Sequence, residues 1–261
     1  MTSGFDDALL ARIEDAGVNA SAPREQRWID GWLVRYSPGK AKRAHCIQAV
    51  AAGRLPVEAK LARCLRVYER AGLRPYVRIT PFSQPPGLDE HLAALGMERI
   101  DDTRVMVAAT LADVAVTGAP AVPGPEGEVR TVDSATFAEW VGGQRGSSAG
   151  ERQAHAERLR QAPVDHRALL LVDARGRTVA GGQVALEDDL VGLYDVFTAE
   201  EWRGRGLGRA LCRALLRAAV AEGARIAYLQ VEAGNAPARQ IYRQLGFTDA
   251  YAYHYRAPAA P

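Results

Sequence analysis

Residues Arg203-Gly204-Arg205-Gly206-Leu207-Gly208 stand between an apolar, alternating run at 191–198 and a helix pattern that starts at Leu207. The order is strand, basic glycine-rich turn, helix, which points to an α/β chain with an anion site at a helix start. Glycines there let backbone N–H groups converge on an anion, and the helix N-terminus adds partial positive charge. Arg203 and Arg205 bring two guanidinium forks suited to phosphate oxygens. Spacing narrows the ligand. A P-loop needs a Gly-Lys-Ser/Thr ending that this stretch lacks, and a G-x-G-x-x-G fingerprint counted from Gly204 ends on Arg209. The residues satisfy R-x-x-G-x-G through Arg203, Gly206 and Gly208, and the stretch reads as a pyrophosphate site. The plainer alternative is an Arg/Gly turn that merely starts a helix.

A second pattern lies downstream. Tyr228-Leu229-Gln230-Val231-Glu232-Ala233 alternates as a strand does. In the segment 235–247, Asn235 caps a helix, Pro237 is tolerated in its first turn and Gly246 stops it. The two motifs, R-x-x-G-x-G and then N-x-x-A-x-x-x-Y-x-x-x-G-F, resemble those of the GNAT superfamily of acyl-CoA-dependent N-acyltransferases. The resemblance implies transfer of acetyl from acetyl-CoA to a primary amine by direct attack. It assigns Tyr242 as the acid that protonates the departing thiolate, and Asn235 to splaying the strand and binding coenzyme A. It further places the coenzyme against Val196, Phe197, Thr198, Arg203, Gly204, Arg205, Gly206, Leu207, Gly208, Arg209, Asn235, Ala238 and Arg239. The N–H groups of Val196 and Thr198 are implied contacts for the pantetheine arm and the thioester oxygen.

Composition bounds the rest. The 261 residues, 48% hydrophobic and 25% charged, are those of an ordinary globular protein of one large or two small domains. A net charge of +2 makes no global electrostatic case for nucleic acid or a membrane surface, so neither is expected as a partner. Cys46, Cys64 and Cys212 are scattered, with no zinc or disulfide spacing, and a reducing compartment follows. His155, His166 and His254 likewise lack metal-ligand spacing, so no metal is expected. The start lacks a basic and apolar leader, which points to the cytoplasm. A monomer and a homodimer are equally open.

Pro/Gly density at 112–127 marks a connector between two domains, 1–111 and 128–261. The second reads as a strand at 128–132, a serine-capped helix at 134–142 and a helix at 154–161. Strands follow at 168–173, Thr178–Glu187 and Leu190–Thr198, then a helix from Leu207, a strand at 225–232, the helix after Asn235 and a closing strand at 250–256. The first reads as a hairpin of 28–36 with 43–50, then helix 56–71, strand 75–80, helix 88–95 and strand 104–108. Its element order echoes the second domain without a glycine-rich loop, so two GNAT-like domains in tandem are expected. Each would be a mixed, mostly antiparallel sheet flanked by helices, the first without coenzyme binding; an unrelated α+β domain is the alternative. Trp28, Trp32 and Tyr36 would line one face of a strand.

Amide formation needs a neutral amine, and neutralising a lysine-like amine at pH 7 costs about 4.6 kcal/mol. Asp195 on one strand and Glu232 on the next are candidate bases. Either is equally a strand-end carboxylate paired with an arginine, and Tyr242 is alternatively a packed aromatic. A coenzyme-A-binding sensor without turnover is the competing function.

Overall fold

The computed structural model describes residues 4–39, 41–111 and 128–259, so the connector expected at 112–127 lies outside them. In chain order the first elements are α1 (Asp7–Asn19), β1 (Gln26–Ile29), β2 (Trp32–Arg35), β3 (Ile47–Gln48), α2 (Val57–Ala71), β4 (Val77–Ile79), α3 (Leu88–Ala94) and β5 (Met97–Ala108). There follow β6 (Glu128–Val132), α4 (Ser134–Gln144), α5 (Ala149–Arg160), β7 (Asp165–Val172), β8 (Thr178–Glu187), β9 (Leu190–Thr198), α6 (Leu207–Ala221), β10 (Ile226–Glu232), α7 (Ala236–Gln244) and β11 (Thr248–Pro258). Two compact units result. One contains Met1–Ala20, Val105–Val231 and Asn235–Ala250; the other contains Ser21–Arg104, Glu232–Gly234 and Tyr251–Pro261. The units therefore do not follow a single cut at the connector, and β5 and β11 each change unit along their length.

In the first unit the strand order is β5-β10-β9-β8-β7-β6. Neighbours from β6 to β9 are antiparallel and β9 pairs with β10 in parallel, the mixed sheet that the resemblance implies. The continuous apolar run on β7 is divided by strand alternation. Leu169 and Leu171 join the core under α6, while Ala168, Leu170 and Val172 pack with Phe137 and Val141 of α4 and Leu159 of α5. Helix α6 buries Leu207, Leu211, Leu215 and Leu216 on one stripe, each contributing about 1.5–3 kcal/mol before entropy is counted. Gly181 and Gly182 allow the close approach of both layers. A Cβ on Gly181 would lie 2.4 Å from Trp140, and one on Gly182 3.0 Å from Leu215.

In the second unit the order is β1-β2-β3-β4-β11-β5, with α2 and α3 packed on a core that includes Trp32, Ile47, Tyr68 and Leu92. The expected single strand at 28–36 is instead a hairpin in itself. Asp30 and Gly31 both have positive φ, 44° and 84°, the geometry of a tight two-residue turn, and they pair Trp28 with Leu33. Trp28 and Trp32 consequently fall on different strands, one 61% exposed and the other fully buried, and no common aromatic face forms. The cap of α4 is Asp133 rather than Ser134, its side chain accepting from Thr136 N–H at 2.8 Å. Helix α1 has no counterpart among the expected elements. Its signal is the Asp6 cap followed by Leu10, Ile13, Ala16 and Gly17, all buried.

Candidate active site

Parallel strands β9 and β10 are in register from Leu190↔Ile226 to Leu193↔Leu229, and both run on past that point, to Thr198 and Glu232. On its other side β9 stays with β8 through Gly181↔Phe197 and Ala180↔Thr198. Between Tyr194 and Phe197 the register shifts, so that Gly182 alone opposes Asp195 and Val196, a β-bulge. Ala199 N–H donates to Val179 O at 3.0 Å, towards β8. Alternation then turns the peptide edges of Thr198 and Val196 the other way, and Arg203 Nε reaches Thr198 O at 3.4 Å from that side.

Beyond the strand, Gly204 and Gly206 have φ of 76° and 77°, which lets the turn deliver α6 with no side chain capping its first amides. A Cβ built on either glycine would meet nothing within 4 Å, so the space over this helix start is open. The cradle fits a pyrophosphate by shape, by free N–H groups and by the exposed Arg203 beside it. Asn235 caps α7 by accepting from Ala238 N–H at 3.2 Å, which fixes the helix that carries Tyr242.

These parts enclose a cleft of about 460 Å³. Of the residues expected to hold coenzyme, it brings together Val196, Phe197, Thr198, Arg203, Gly208, Asn235 and Ala238, with Tyr242 in the same wall. Cys212, Pro237 and Ile241 complete the lining without having been expected. Gly204, Arg205, Gly206, Leu207 and Arg209 form the loop and first turn but do not line the cleft; Arg205 lies over Trp202 and Arg209 reaches Gln244. Arg239 is turned to Asp249 at 2.6 Å. Glu232 is exposed and belongs to the other unit. Burial pushes the Tyr242 phenol above its ordinary value, so it is protonated at neutral pH, and pushes the Cys212 thiol up to about 12.

Asp195 sits at the bulge with φ 51° and is directed to the α4 and α5 side. Arg145 Nη1 lies 2.5 Å from Oδ1, Gln183 Nε2 2.7 Å from Oδ2, and His155 Nε2 3.4 Å from Oδ2. Burial opposes its ionisation, but His155 and Arg145 outweigh burial and hold the carboxyl well below the usual range. His166 on β7 completes the cluster; burial lowers its pKa to about 4 against the pull of Asp195. Both ring nitrogens of His166 and Gln183 Oε1 are buried without a hydrogen bond that meets strict geometry, while His155 Nε2 has Asp195 as its partner. Sequence spacing gave no hint of this cluster, since His155 lies on a helix and His166 on a strand.

The family model described as "Probable histone acetyltransferase Rv0428c C-terminal" matches residues 8–256. The chain belongs to this family, and it is a GNAT N-acetyltransferase. The "Uncharacterized N-acetyltransferase YobR" of Bacillus subtilis is 29% identical over 246 residues, 88% of this chain and 91% of that one. Among solved structures, a GCN5-related N-acetyltransferase from Kribbella flavida has a TM-score of 0.68 at 20% identity, covering 96% of each chain. A tandem GNAT protein from the clavulanic acid biosynthesis pathway scores 0.59 at 18% identity, covering 78% of this chain and 70% of that one. Both structures speak for the GNAT fold. No group of three or more His, Cys, Asp or Glu suited to a metal occurs among the described residues of this acetyltransferase.

Proposed function

We propose that the protein transfers the acetyl group of acetyl-CoA to a primary amine by direct attack, in the cleft of the unit that carries α6. The observation that carries this reading is the open, uncapped start of α6 beside a gap between β9 and β10. Bound acetyl-CoA supplies an acyl group activated as a thioester. Gly204, Gly206 and the first amides of α6 hold its pyrophosphate, with Arg203 as the cation. Val196 and Thr198 turn their N–H groups to the gap, where Val196 stabilises negative charge developing on the carbonyl oxygen. His155, oriented by Asp195, takes the proton of the incoming ammonium from the α5 side. Tyr242 gives its proton to the sulfur as the C–S bond breaks, the attacking nitrogen sheds its second proton to solvent as the amide forms, and solvent returns His155 and Tyr242 to their starting states. Asp195 is thus a positioning residue. A carboxylate already held by Arg145, Gln183 and His155 is too weak a base to act alone.

The second unit is in this reading a GNAT-like partner domain without coenzyme, built mainly from the half 1–111, and the tandem halves 1–111 and 128–261 each lend end segments to the other's unit. The protein of the clavulanic acid pathway, described as a tandem GNAT, supports it. So does the start of α2, the counterpart of α6 in element order. There the Asp30 carboxylate accepts from Arg54 N–H at 2.9 Å and Leu55 N–H at 2.8 Å, and contacts Lys60 Nζ at 3.1 Å. These backbone bonds hold its pKa at about 2, so an internal anion occupies the place of a phosphate.

The test is thermal denaturation with and without ligand, followed by a thiol-release screen of amines. At about 100 times its dissociation constant, acetyl-CoA stabilises the fold by about 2.7 kcal/mol. No shift at millimolar ligand sinks the proposal. A shift with no turnover across the amine panel selects the coenzyme sensor instead.

A further inference from the structure

The second unit holds a larger cleft, of about 590 Å³, between β1 and the later turns of α2. Its volume is that of a small-molecule site. Arg63, Arg66 and Arg70 line it from α2, at spacings that put them on one helix face, and Arg27 and Trp28 line it from β1. Tyr36 also lines it. Among the described residues, none of these four guanidiniums forms an ion pair. The carboxylate in the lining, Asp30, is already committed to the α2 start and Lys60.

Like charges three and four residues apart oppose helix formation, and four cations around one cleft repel one another. The C-terminal dipole of α2 relieves Arg70 alone. A solvated basic face guarding an edge strand would account for the charges. It does not account for Trp28, whose indole is held 61% exposed among them, whereas Trp32 on the paired strand is fully buried. An open indole beside several guanidinium forks is the chemistry that takes a planar ring and phosphates together.

We propose that this cleft binds a phosphorylated nucleoside, with the phosphates gripped by Arg27, Arg63, Arg66 and Arg70 and the base stacked on Trp28. A cleft of about 590 Å³ suits a single small molecule, and a net charge of +2 makes no general case for a macromolecular anion. The site is separate in residues from the α6 cleft and does not depend on the proposed acetyl transfer.

The probe is ATP, titrated into the full chain and followed by tryptophan fluorescence and calorimetry. Saturable binding is expected, with adenosine alone and inorganic pyrophosphate each weaker by about tenfold or more. Arg63→Ala/Arg66→Ala/Arg70→Ala should weaken ATP by about tenfold or more while the melting shift with acetyl-CoA persists. Trp28→Phe should remove the fluorescence response and lower affinity. Arg203→Ala/Arg205→Ala, in the other cleft, should leave ATP affinity unchanged. Arg66→Glu, on an exposed position, serves as a second variant if the triple one melts early. No saturable response at millimolar ATP overturns the proposal. So does ATP affinity lost through the Arg203/Arg205 variant and kept in the α2 variants. Binding of an oligothymidylate more than about tenfold tighter than ATP overturns it in favour of single-stranded nucleic acid.

Discussion

At the scale of single residues, the site is governed by what burial does to protons. Tyr242 is buried against Phe247, and desolvation keeps its phenol protonated, the state a donor to a thiolate requires. Tyr242→Phe removes only that proton. Turnover with an acceptor found by screening should fall about 10²–10⁴-fold while the acetyl-CoA melting shift is retained. Unchanged turnover where chemistry limits the rate would remove Tyr242 from the mechanism. His166 gives a prediction that needs no acceptor. Its pKa is about 4 in the fold and 6.5 as the reference. The unfolded chain therefore binds the proton first as pH falls, and stability drops between pH 6.5 and 4. The loss approaches about 3 kcal/mol at and below the folded pKa, 2.5 units at about 1.36 kcal/mol each. His166→Gln should flatten this part of the stability profile measured by urea denaturation between pH 7 and 4. A wild-type profile already flat in that window would show that the ring is not desolvated. Asp195, lowered rather than raised, acts with the opposite proton count: its contribution is full above the ordinary carboxylate pKa and is lost as pH falls through its folded value.

At the scale of elements, the two counterpart helix starts differ in one respect that decides what they can hold. Neither helix has a side-chain cap, but the two amides just ahead of α2 are taken by Asp30, whereas the turn ahead of α6 carries Gly204 and Gly206 with open space around them. Gly206→Asp would set a carboxylate over the α6 start much as Asp30 stands at α2. It should abolish the acetyl-CoA melting shift, and a retained shift would mean that the pyrophosphate lies elsewhere. The α6 strand–loop–helix unit was legible because its function is written locally, in consecutive residues with demanding backbone angles. So were α7 and β8–β9, whose caps and turns are short-range signals. The aromatic alternation of Trp28, Trp32 and Tyr36 reads as one strand only when the Asp30-Gly31 pair, itself a two-residue hairpin signal, is passed over. The cluster of Asp195 with Arg145, His155, His166 and Gln183 was legible only in its Asp195 member. Its parts come from α5, β7, β8 and β9 and the end of α4, and no local pattern joins them. Helix α1 has a capped amphipathic pattern that length and cap together would have disclosed.

At the scale of the whole molecule, each compact unit is completed by segments from the far side of the connector. The unit with α6 contains Val105–Ala108 of β5, which stands next to β10 in its sheet, and the start of the chain through Ala20. Met106 and Ala108 are buried in the same core as Leu211 and Leu229. Leu111 N–H donates to Arg225 O at 3.0 Å, and Asn19 on α1 bonds Glu187 at 2.8 Å. The other unit contains Tyr251–Pro261, with His254 paired to Ile79 on β4 and both His254 and Arg256 bonded to Asp89 at 2.8 and 2.7 Å. A fragment of 128–261 would retain every residue of the coenzyme cleft yet leave β10 as an exposed strand edge beside an uncovered core. Unpaired edges and exposed apolar surface lead to association rather than to a stable fold. The fragment should therefore unfold without a cooperative urea transition, or precipitate, and should show no acetyl-CoA melting shift, whereas the full chain shows one. Co-expression with 1–111 should restore both, because that piece returns Val105–Ala108 and α1 to the first unit and receives β11 in the second. A lone 128–261 fragment with a sharp transition, a slope in proportion to its length and a normal acetyl-CoA shift would show that the exchanged segments are dispensable.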